Sequence, residues 1–134
     1  MKYMLDTNIC IYVIKEKPES VIRKFLKNNP EEMCISSITY AGLLYGVEKS
    51  KAIQKNRIAL SLFLSPIKIL EFNDYAAQEY GQIRADLEQK GMPIGSMDML
   101  IAGHAKAEDL ILVTNNTKEF QRVAGLKLEN WAAE

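Results

Sequence analysis

The chain is short of the residues on which many catalytic chemistries depend. It has 134 residues and a single histidine, His104. A Ser-His-Asp type hydrolase therefore has little material, and no nucleophile–histidine pair is apparent. The two cysteines, Cys10 and Cys34, have no metal-type spacing. Cys10 falls in an expected helix and Cys34 in an expected strand, so both read as small buried hydrophobes. Charge of one sign is lacking as well: 17 basic and 17 acidic residues give a formal net charge of zero. No whole-molecule positive field can attract a nucleic acid, and any such contact uses a local patch. No apolar run approaches the roughly 20 residues needed to span a bilayer. Met1-Lys2 leads directly into a strand without a secretory leader, so a soluble, cytoplasmic protein is expected. Glycine-rich phosphate loops of the P-loop or dinucleotide kind are absent, as are internal repeats, low-complexity segments and linkers.

What is present is ordinary for a globular protein. Hydrophobic residues make up 48% and charged residues 25%, values that argue against disorder. The length suits one domain spanning residues 1–134. Tyr3 to Leu5 reads as a strand closed by Asp6, followed by a helix from about Ile9 to Lys15. Pro18 suits the first position of a second helix, with Val21, Ile22, Phe25 and Leu26 on one face. Met33-Cys34-Ile35 reads as a buried parallel strand. Ser36 and Ser37 offer cap chemistry for a helix from about Ile38 to Val47, with a core face of Ile38, Ala41 and Tyr45. A helix around Arg57 to Leu64 leads to a third strand, Ile67 to Leu70. Asn73 or Asp74 caps the longest helix, where Ala76, Tyr80, Ile83 and Leu87 form an amphipathic stripe. Gly91 suits its C′ position. Gly95 and Ser96 start another helix with Asp98 in its first turn. Leu110 to Val113 is a fourth strand, Thr117 caps a short helix through Phe120, and Leu126 to Leu128 is a short edge strand with Trp131 packing the tail. This alternation predicts an α/β fold, a three-layer α/β/α sandwich around a central, mainly parallel sheet.

In a parallel sheet the strand C-termini share one edge, where ligands bind. Asp6 closes the first strand, Asp98 opens a helix packed near the sheet, and Asn115 and Asn116 close the fourth strand. Asp6 reads either as a helix cap or as a ligand delivered to that edge, with Thr7 and Asn8 beside it. Asp98 reads either as a helix-dipole partner or as a second ligand. Carboxylates that converge within about 4–6 Å repel one another, and a divalent cation relieves the conflict. Hard oxygen ligands without histidine or cysteine favour Mg²⁺ or Mn²⁺ over Zn²⁺. Such an ion can activate water for phosphodiester hydrolysis. His104 reads as structural. Lys49, Lys51, Lys55 and Arg57 form the densest basic stretch, either a solvated face or a contact for a phosphate backbone.

Four stretches in order carry a resemblance. Met4-Leu5-Asp6-Thr7-Asn8 resembles the opening of PIN-domain nucleases, in particular VapC toxins of bacterial toxin–antitoxin pairs. Cys34-Ile35-Ser36-Ser37-Ile38-Thr39 with Leu43-Leu44-Tyr45-Gly46-Val47-Glu48-Lys49-Ser50 is similar to the second VapC motif. Pro93-Ile94-Gly95 with Asp98 and Ile101-Ala102-Gly103-His104-Ala105 is similar to the third, and Val113 to Phe120 to the fourth. The resemblance implies a Mg²⁺-dependent endoribonuclease (Mn²⁺ being the other option) in which Asp6 and Asp98 bind metal. Asn116 stands where many PIN domains have Asp, with Thr114 and Asn115 as supporting polar groups. It implies initiator tRNA, cut in the anticodon stem-loop, as first substrate, with rRNA, other tRNAs and mRNA as rivals. It also implies a VapB antitoxin, a homodimer, and operator DNA bound only through the antitoxin. Lys49, Lys51 and Lys55 would then contact RNA.

One position departs from the motif. The family places a Glu on the second-motif helix where this chain has Gly42. Glu48 is no substitute, since six helical residues turn about 240° and rise about 9 Å. Gly42 and Gly46 together can be read as a close-packing stripe. The alternative is an inactivating substitution, which leaves open a PIN domain that only binds antitoxin or RNA.

Overall fold

The computed structural model describes residues 1–132. The elements run β1 (Tyr3–Leu5), α1 (Thr7–Lys15), α2 (Glu19–Lys27), a 3-10 turn (Pro30–Glu32), β2 (Met33–Ser36), α3 (Ser37–Glu48), α4 (Ile53–Leu64), β3 (Lys68–Leu70), α5 (Asp74–Gln89), α6 (Ser96–Ala107), β4 (Ile111–Val113), α7 (Thr117–Phe120) and β5 (Leu128–Glu129). Every strand pairing among them is parallel, in the order β3-β2-β1-β4-β5. The earliest strand is thus the central one, and the order reverses between β1 and β4.

Alternate strand residues feed two cores. Tyr3, Leu5, Met33, Ile35 and Val113 face a cluster with Ile9, Leu43, Leu60 and Trp131. Met4, Cys34 and Leu112 face the other, with Ile83, Leu87, Ile101, Ala102 and Phe120. Helices on both faces make this the expected three-layer sandwich. Both cysteines are buried and unpaired, and burial pushes the Cys34 thiol up to about 12. Among the described residues no helix is long and apolar enough to cross a membrane.

Several expectations need correction. The buried face of α3 is Thr39, Leu43 and Val47, with Ile38 only partly buried, Ala41 exposed and Tyr45 66% exposed. This helix is apolar nearly all round, so periodicity alone does not select its inner face. Leu26 is 75% exposed, because α2 is held at the periphery by Val21 and Phe25. Pro18 caps α2 instead of opening it, its extended ψ of 163° placing it outside the helix. Asn116, not Thr117, is the N-cap of α7. The edge strand lies at Leu128–Glu129, later than expected, because β5 pairs in register with Leu112 and Val113. Gly91 does adopt the left-handed φ of +67° that a helix C′ position favours.

Candidate active site

Register brings one row of residues to the sheet edge. Tyr3 is level with Met33 on β2 and with Ile111 on β4. Continued past the strand ends, Asp6 therefore lies between Ser36 and Thr114. This is the point where strand order reverses, the usual ligand crevice of an open α/β sheet. Leu5 and Val113 are fully buried and fix the height at which the polar row begins.

Asp6 is only 5% exposed. Its Oδ1 accepts from the Ile9 backbone N–H at 3.1 Å, and its Oδ2 accepts from the Thr114 hydroxyl at 2.5 Å. The cap and the edge carboxylate are thus the same group. Burial pushes its pKa up, Asp98 pushes it further, and the Thr114 hydroxyl and the Ile9 and Asn8 amides oppose the rise. Thr7 and Asn8 form the first turn of α1 beside it.

Asp98 lies in the first turn of α6, half-buried. Its pKa is raised by burial and then by Glu119. Gly95 lies beside it, so that a Cβ there would stand 3.4 Å from Asp98 Oδ2, an ordinary contact. Glu119 was not singled out from the sequence. Asn116 holds it, donating from Nδ2 to Glu119 Oε2 at 2.9 Å, while the Asn116 backbone N–H donates to Thr114 Oγ1 at 3.0 Å. The Asn-x-x-Glu spacing is the signal that could have flagged it, since a Glu at the third helical position faces the cap. Asn115 donates to the Tyr12 hydroxyl at 2.9 Å, and its buried Oδ1 has no partner among the described residues.

Gly42 lies half-buried on α3, and a Cβ built there, or on Gly46, meets nothing within 4 Å. Among the described residues of this chain, neither glycine is at a close-packed contact. Gly42 borders a groove of about 320 Å³ shared with Ile11, Ile14, Leu43 and Leu60. Helical side chains lean toward the N-terminus, so a longer side chain at 42 would lean toward the start of α3, at the edge that carries Asp6.

The remaining candidates lie outside this cluster. Lys49, Lys51 and Lys55 are exposed. Lys49 Nζ sits 5.0 Å from the Tyr45 ring centroid. Arg57 is taken up by Glu48 through contacts of 2.7–2.9 Å, so neither joins the site. His104 is fully buried against Ser36.

The converging donors are hard oxygens, and both carboxyl pKa values are raised, by burial first and by a neighbouring carboxylate second. In kind they suit a hard divalent cation. In number they fall short: among the described residues no group of three His, Cys, Asp or Glu side chains is placed to hold a metal ion.

The chain matches known proteins over nearly its whole length. The PIN domain family matches residues 3–126. The tRNA(fMet)-specific endonuclease VapC of Shigella flexneri is 50% identical over 132 residues, covering 98% of this chain and 99% of the relative. The solved structure of VapBC2 from Rickettsia felis, bound to a DNA fragment from its promoter, superposes with a TM-score of 0.90. It is 48% identical, with 98% and 99% of the two chains covered. DNA-bound VapBC from Salmonella typhimurium gives a TM-score of 0.92 at 47% identity, with 98% of each chain covered.

Proposed function

The chain belongs to the PIN-domain family, among the VapC toxins, and from that premise we propose that it is an endoribonuclease acting on initiator tRNA. The convergence of Asp6 and Asp98 at the β1–β4 switch point carries this reading. Asp6 and Asp98 would hold Mg²⁺, with Mn²⁺ as a substitute. The bound ion supplies an activated water and charge stabilisation for phosphodiester hydrolysis. The chain's own residues prepare that site. Thr114 and the Ile9 amide fix both oxygens of Asp6. Asn116 holds Glu119 facing Asp98. Unpaired anticodon-loop bases are what such a protein can read in an RNA whose deep groove is closed to side chains. The natural setting of this reading is a single cytoplasmic PIN domain over residues 1–134. It would act as a homodimer neutralised by a VapB-type antitoxin, with operator DNA reached only through the antitoxin.

The open space at Gly42 supports a second reading, a PIN domain that binds antitoxin or RNA and cleaves poorly. One experiment separates them. Purified initiator tRNA and Mg²⁺ are incubated with this chain, with Gly42→Glu, and with Gly42→Glu carrying Asp6→Asn. The expected order is weak cleavage, strong cleavage and none. No gain from Gly42→Glu would sink the idea that position 42 is the missing carboxylate.

A further inference from the structure

His104 is a buried titratable group that the proposed chemistry does not use. It lies on α6, the helix that carries Asp98, and its Nδ1 is 2.8 Å from Ser36 Oγ. Ser36 is the residue that register places next to Asp6. Its hydroxyl already accepts from the Ile38 N–H at 3.0 Å, capping α3. The Ser36 hydrogen is thus free to be donated to Nδ1, which leaves the imidazole proton on Nε2. Phe72 packs edge-on against the ring at 5.5 Å, and the Phe72 amide donates to Ser37 Oγ at 3.0 Å. One imidazole therefore ties α6 to the start of α3 and to the segment after β3.

We propose that His104 is a positioning residue for the acidic pair: by bonding Ser36 beside Asp6, it sets where α6 presents Asp98. This rests on the reading of Asp6 and Asp98 as the metal site. Asp6 and Asp98 repel each other, and no side-chain cap holds the first turn of α6. The rest of the buried face of α6 is Met99, Ile101, Ala102, Gly103 and Ala105, whose contacts are non-directional. The His104–Ser36 bond is directional and supplies the register along the sheet edge. Core packing alone does not call for an imidazole here, since the ring makes polar contacts, to Ser36 and toward the Glu71 backbone, that an apolar side chain would not.

The test measures Mn²⁺ affinity by calorimetry and by paramagnetic resonance, in this chain and in Gly42→Glu. His104→Leu is expected to weaken Mn²⁺ binding roughly tenfold, the lower end of the range for groups that orient metal ligands. His104→Asn keeps a polar atom near the Nδ1 position and is expected to stay within about threefold of the parent, a rescue that bulk packing does not predict. Val123→Ala, a cavity in the same core, lowers the melting temperature and leaves affinity unchanged. Should His104→Leu not fold, Ser36→Ala removes the same bond from its other end and is expected to weaken binding likewise. The inference alone is overturned if the parent binds Mn²⁺ and His104→Leu behaves like Val123→Ala, or if Asn weakens binding as much as Leu. A Gly42→Glu parent that binds no Mn²⁺ overturns the metal reading, and this inference with it.

Discussion

Asp98 faces Glu119 across the site, and its pKa is raised first by burial and then by that charge. A carboxyl whose folded pKa lies above its unfolded value holds its proton more tightly in the fold. Its stabilising contribution is present in acid and is lost as pH rises through the raised value. Relative to Asp98→Asn, the wild-type chain should therefore lose stability as pH climbs from the ordinary value of 3.8 through the raised one, and then level off. Urea unfolding of both chains across that window checks the sign. Saturating Mg²⁺ should reverse the trend at neutral pH, because the cation binds the ionised form. The sequence made Asp6, Asp98, Thr114 and Asn116 legible, since each stands at a strand end or in a helix's first turn. Glu119 was not, because its part in the site comes through Asn116 and through a charge brought close by the fold. Gly42 was legible as a departure from the motif, but only the structure shows that it is at no close-packed contact among the described residues of this chain.

Among the helices, α5 and α6 make the tightest approach. A Cβ on Gly103 would stand 2.8 Å from the backbone nitrogen of Tyr80, so one helix would have to shift. Gly103→Ala should destabilise the protein by about 1–3 kcal/mol through overpacking. Gly81→Ala, in mid-α5 with nothing within 4 Å of an added Cβ, should instead stabilise it by about 0.5–1 kcal/mol through helix propensity. Opposite shifts of the two urea midpoints are the expected result, and shifts of the same sign would contradict the packing. The amphipathic stripe of α5 was readable because the rest of that helix is polar, and Ala76, Ile83 and Leu87 are buried as its spacing requires. The inner face of α3 was unreadable for the converse reason: with apolar residues nearly all round, tertiary packing chooses the face. The short edge strands were misplaced by a residue or more because backbone register, not side-chain pattern, sets their ends.

Taken whole, the molecule carries no net charge, so its hold on RNA must come from a local patch. Among the described residues, Lys51 and Lys55 have no carboxylate partner, while Arg57 is occupied by Glu48. Replacing Lys49, Lys51 and Lys55 with Ala should weaken RNA binding uniformly across sequences. It should also reduce the dependence of log K on log salt by about 0.7–0.9 per lysine. A filter-binding salt series measures this, and an unchanged slope would return these lysines to the role of a solvated face. The sheet order has a separate consequence for how such a chain is made. β1 is the first strand to leave the ribosome, yet one of its two neighbours is β4, which begins at Ile111. Until that last segment emerges, Asp6 has no Thr114 beside it and the crevice has only one wall. Asp6 and Thr114 can meet only after β4 has been made, so the acidic edge is completed late in synthesis.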